Sequence, residues 1–106
     1  MFTINGVVWK LKFAAPGHPM LIRPDGVRAA GVCDANTRTI YIDNTIKGAY
    51  FKEVLCHEIV HAAIFSYKIE LDYDTEELVA NLIAKYGHEI IAVTNTLFKK
   101  MKKGYR

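Results

Sequence analysis

At 106 residues, 51% of them hydrophobic and 11% aromatic, the chain is long enough to bury a core without cross-links and too apolar to be disordered. Its formal net charge of +3 owes much to a C-terminal cluster, Lys99, Lys100, Lys102, Lys103 and Arg106, so the remainder is close to neutral. The opening residues, Met1 to Gly6, lack the basic and apolar regions of a signal peptide, and no apolar run is long enough to span a bilayer. These features predict one cytoplasmic domain over residues 1–106, with no membrane association and a basic tail from about residue 99. The two cysteines, Cys33 and Cys56, fit a reducing compartment, and Cys56 is expected to be a small core side chain.

In chain order, residues 2 to 13 predict a β-hairpin around Asn5-Gly6, a pair suited to a type I′ turn because both positions need positive φ. In its second strand Val7, Trp9, Leu11 and Phe13 alternate with Val8, Lys10 and Lys12, which predicts one buried face. Residues 14 to 26 hold all three prolines and read as a loop, with His18 a solvated loop histidine. Val27 to Cys33 and Thr37 to Asp43 predict a second hairpin. Its later strand precedes a helix and would offer an edge to which an extended substrate can pair.

That helix, about Ala49 to Tyr67, is apolar on several sides and therefore expected to be buried. It carries His57-Glu58-Ile59-Val60-His61, a complete H-E-x-x-H. Residues four apart share a helix face, so both imidazoles reach one ion while Glu58 stands beside it as a base. A second helix is predicted from about Thr75 to Phe98, capped by Asp74 or Thr75, with Leu78, Leu82, Ile83, Tyr86, Ile90, Val93 and Leu97 as its apolar surface. The fold class is accordingly α+β, a small antiparallel or mixed sheet of about three to four strands packed on two long helices.

A catalytic zinc site takes three protein ligands and leaves a position for water. The third ligand lies among Asp72, Asp74, Glu76 and Glu77. Glu77 is the choice, because Asn81 one turn later can hold the second ring nitrogen of His57 or His61. A capping pair of Asp74 and Glu77 is the competing explanation for that carboxylate. His88, eleven residues beyond Glu77, is about 16 Å farther along the helix and cannot share the ion. Tyr41, Tyr50, Tyr67, Tyr73 and Tyr86 are candidates to stabilise an oxyanion, and the sequence does not choose among them.

Taken together, the stretches Gly31 to Asp43, His57 to His61 and Glu77-Leu-Val-Ala-Asn81-Leu-Ile-Ala84 resemble the minimal gluzincin-type core of ImmA/IrrE-like metallopeptidases of bacteria, phages and mobile elements. The resemblance covers about residues 27 to 98, and Ile83 stands where the family usually has phenylalanine. It implies a zincin-like core, zinc held by His57, His61 and Glu77, and Glu58 as general base in peptide-bond hydrolysis of a narrow protein or peptide target. Two alternatives come from other classes. One is a zinc-binding regulatory protein without significant proteolysis. The other uses the basic tail to associate with nucleic acid and directs cleavage to a bound repressor.

Overall fold

The structure is a computed structural model that describes residues 1–105, with side chains described as far as Met101. Arg106 and the side chains of Lys102 and Lys103, part of the predicted basic tail, lie outside the described residues. Strand β1 (Phe2–Ile4) pairs antiparallel with β2 (Val7–Ala14) through a turn in which Asn5 and Gly6 take φ of 47° and 77°. Strands β3 (Gly31–Asp34) and β4 (Thr39–Asp43) form a second antiparallel pair. β2 and β4 then join in parallel, from Lys10↔Thr39 to Ala14↔Asp43, giving a four-stranded mixed sheet in the order β1-β2-β4-β3.

Parallel neighbours require a long connection. Residues 15–30 supply much of it through a 3₁₀ turn at Pro19–Leu21, which drives Leu21 fully into the interior. His18 is exposed, as its loop position predicts, and its Nδ1 accepts from the Met20 N–H at 3.1 Å. The same loop shortens β3. Alternation predicts a strand from Val27, but Ala29 donates to the Leu21 carbonyl at 2.7 Å and Arg28 bridges Ile22, so residues 27–30 are held by the loop instead. The topology also corrects the expected substrate edge. β4 is internal, flanked by β2 and β3; the edge strands are β1 and β3, and the edge beside the motif helix belongs to β3.

Helix α1 (Gly48–Ser66) lies across the sheet. Trp9, Ile40, Ile42 and Ala62 make the fully buried core beneath it. The Trp9 indole N–H donates to Ser66 Oγ at 2.8 Å, which satisfies a buried donor, and Phe65 meets the indole edge-on at 5.8 Å. Leu11 and Phe13, expected on the buried face, are exposed. β1 ends opposite Trp9, so the rest of β2 has β4 as its only strand neighbour, and Phe13 leans on Phe51 alone among the aromatics.

The second helical run starts at Tyr73 rather than Thr75, because Asp72 is the cap, its Oδ1 accepting from the Thr75 N–H at 2.7 Å. The run comprises α2 (Tyr73–Leu82), a π-turn (Ile83–Gly87) and α3 (His88–Tyr105). It packs on α1 rather than on the sheet, which corrects the expectation that both helices cover the strands. Ala80 and Ala84 permit this close approach, both buried, with Ala80 beside Val60 and Ile64 of α1. No helix among the described residues is long and apolar enough to cross a membrane.

Candidate metal centre

The H-E-x-x-H residues lie in the middle of α1, on the side that faces both the start of α2 and the free edge of β3. An open cleft of about 670 Å³ runs between these elements, walled by Gly31 to Cys33, by the motif, and by Glu76, Glu77 and Asn81. His57 and His61, one turn apart, present their Nε2 atoms 3.2 Å from each other. The Glu77 carboxylate faces both, Oε1 at 2.7 Å from His61 Nε2 and Oε2 at 3.5 Å from His57 Nε2. Three potential ligand atoms therefore converge from two helices.

These separations suit a metal ion. Zinc bonds to nitrogen and oxygen of about 2.0–2.1 Å, arranged tetrahedrally, set neighbouring donors about 3.3 Å apart. The ring chemistry points the same way. His61 Nδ1 lies 2.5 Å from Glu76 Oε2, so both nitrogens of one imidazole face carboxylates. A neutral ring carries a single proton. With that proton on Nδ1 toward Glu76, the Nε2 lone pair is free to bind a cation shared with Glu77. His57, His61 and Glu77 form a group able to hold a metal ion, and it is the one such group among the described residues.

The surroundings tune each member. Burial lowers the pKa of His57 and His61 adds to that, while Glu77 and a hydrogen bond with Asn81 oppose it. A neutral ring is the form that binds metal. Glu58 is buried, and burial pushes its carboxyl up to about 7. Glu77 acts in the same direction, whereas His61 and the Cys33 N–H, which donates to Glu58, favour the carboxylate. Cys33 stands in the cleft wall, and burial, reinforced by Glu58 and Glu76, drives its thiol up to about 12. Cys33 is not part of the ligand group.

Comparison with protein-family models, curated proteins and solved structures finds no match.

Of the four carboxylates considered for the third ligand, Asp72 caps α2, Asp74 lies outside the cleft, Glu76 holds His61 from behind, and Glu77 faces the two Nε2 atoms. Asn81 lines the cleft and works against the lowering of the His57 pKa. Sequence reasoning missed the division of labour between the histidines' partners, although the Glu76-Glu77 pair at the start of the helix contained it. It also missed Gly31. A Cβ there would lie 2.8 Å from Val54 Cγ1 and 3.0 Å from Glu58 Cγ, so a glycine is what lets β3 close against the motif helix. Among the five tyrosines, Tyr50 and Tyr73 line the cleft. His88 is exposed on α3 away from it, and Cys56 is half-buried outside the ligand group.

Proposed function

We propose that this chain is a zinc-dependent metallopeptidase, a minimal zincin-like core of the ImmA/IrrE-like kind, which hydrolyses a peptide bond in a narrow protein or peptide target. The observation that carries the reading is the convergence of His57 Nε2, His61 Nε2 and the Glu77 carboxylate beside the buried carboxyl of Glu58. A purely structural zinc site has four protein ligands and no use for a neighbouring base, whereas three ligands with a carboxylate alongside are the makings of a hydrolytic centre.

His57, His61 and Glu77 hold the ion. When bound, zinc acts as a Lewis acid that acidifies water and polarises a carbonyl. Glu58 takes a proton from the attacking water and delivers it to the departing amine nitrogen. Its burial suits both halves of that task, since a carboxyl with a pKa near 7 gives up and regains a proton with similar ease. Glu76 fixes the tautomer and tilt of His61, and Asn81 does the same for His57. The target strand lies in the cleft against the outer edge of β3, where the backbone around Gly31 is open to an extended peptide. Tyr50 or Tyr73 supplies the hydroxyl for the developing oxyanion.

The test is cleavage of a peptide library by zinc-loaded wild type and Glu58→Gln, followed by mass spectrometry, with metal content measured on both. Wild type cleaves, and the variant keeps its zinc while losing about 10²–10⁴-fold in rate. Comparable turnover by the two proteins would overturn the assignment of Glu58.

A further inference from the structure

Leu78, Leu82, Tyr86, Ile90, Val93, Leu97 and Met101 follow one another along the second helical run and are each 44 to 67% exposed. Their spacing is four, four, four, three, four and four residues. On an α-helix a step of four overshoots a full turn by about 40°. Three successive steps would spiral around the helix, but the π-turn at Ile83–Gly87 falls within them and its wider winding takes back part of the drift. The seven side chains therefore form one stripe. It faces away from α1, because Leu78 and Leu82 each stand two residues, about 200°, from the buried Ala80. Beyond the π-turn every residue from His88 to Met101 is exposed, so no other part of the described chain covers the stripe.

Two further features say what does. Six of the seven pair about one point: Leu78 with Met101, Leu82 with Leu97, and Tyr86 with Val93 share a midpoint between Glu89 and Ile90, the seventh member. Charge is distributed about the same midpoint. The start of the run carries Asp74, Glu76 and Glu77, preceded by Glu70 and Asp72, with no lysine or arginine between Lys68 and Lys85, and its end carries Lys99 and Lys100, followed in sequence by Lys102, Lys103 and Arg106, with no acid after Glu89. Two copies laid antiparallel match apolar side chain to apolar side chain and set each basic end beside the other's acidic start. A parallel pair sets like charge on like. A lipid surface would bind an apolar stripe but has no use for a palindromic register.

We propose that this face is a self-association surface, on which a second copy of the chain packs through an antiparallel, two-fold symmetric pairing of the helical runs centred near Ile90. The pairing is isologous, each residue meeting its mirror position in the register. It is independent of the chemistry assigned to the metal centre.

Sedimentation equilibrium of the full chain tests it, with binding to anionic vesicles measured in parallel. The expected mass is twice 12.0 kDa. Leu82→Glu combined with Leu97→Glu sediments as monomer with unchanged helical circular dichroism and unchanged zinc content. Lys99→Glu with Lys100→Glu raises the dissociation constant by about tenfold, the scale of a few exposed ion pairs. With cysteines placed at both Leu82 and Leu97, oxidation joins residue 82 of one copy to residue 97 of the other in the peptide map. A mass of 12.0 kDa at every concentration, with or without vesicle binding, overturns the proposal. So does a cross-link joining position 82 to position 82.

Discussion

Neighbouring carboxylates at Glu76 and Glu77 point about 100° apart around α2, and that rotation turns one toward the two Nε2 atoms and the other to the back of an imidazole. The two are separable by substitution. Glu77→Ala removes a ligand and is expected to abolish stoichiometric zinc binding. Glu76→Gln keeps the shape, weakens the acceptor at His61 Nδ1, and is expected to lower zinc affinity about 10- to 100-fold. Competition with a chromophoric chelator reads both, and equal affinities for Glu76→Gln and wild type would remove Glu76 from the site. The motif histidines and Glu58 were legible in the sequence because helix periodicity alone fixes their common face. The roles of the four acids at 72, 74, 76 and 77 were not, since an acid near a helix start serves as cap, ligand or ligand support with the same local signature. The cap settles it: with Asp72 accepting from Thr75, the following turn sets Glu77 toward the histidines. A second residue-scale expectation concerns the core. Ser66→Ala leaves the buried Trp9 N–H without its acceptor and is expected to cost about 1–3 kcal/mol. Urea denaturation followed by the fluorescence of this single tryptophan measures it.

At the scale of elements, the site depends on how closely β3 approaches α1. Gly31 sets that distance, with Val54, Glu58 and Ile42 crowding the place of a side chain. Gly31→Ala is expected to destabilise the fold by about 1–3 kcal/mol through overpacking. It also presses on the Glu58 stem, so cleavage should fall more than stability accounts for under conditions where the variant remains folded. Wild-type activity and stability together in this variant would show that the contact relaxes without consequence. The first hairpin was legible because Asn5-Gly6 encodes its own turn. The order of strands was not, since the parallel pairing of β2 with β4 depends on contacts far apart in sequence and leaves no mark in local alternation. That is why β4, which reads as an exposed edge next to the motif helix, is internal while the shorter β3 carries the edge.

For the whole molecule, metal binding is expected to be coupled to folding, because the candidate ligands come from two helices that meet only in the folded chain. Zinc at about a thousand times its dissociation constant is expected to add about 4 kcal/mol to stability. Thermal melts of wild type should therefore shift upward with zinc, and those of Glu77→Ala should not. Global packing was the least legible level. The periodicity of Leu78, Leu82, Tyr86, Ile90, Val93 and Leu97 reads as an apolar surface, which suggests cover by the sheet, but α1 occupies the sheet and leaves the stripe outward. Hydrophobic spacing identifies a face and carries no information about what lies against it.

The proposed chemistry requires one coordination sphere, made by His57, His61 and Glu77. X-ray absorption at the zinc edge of the loaded wild-type protein is expected to show two imidazole nitrogens and carboxylate oxygen at about 2.0–2.1 Å, with a further light atom from solvent. A sulfur neighbour at about 2.3 Å, or a sphere unchanged when Glu77 is replaced by alanine, would contradict it.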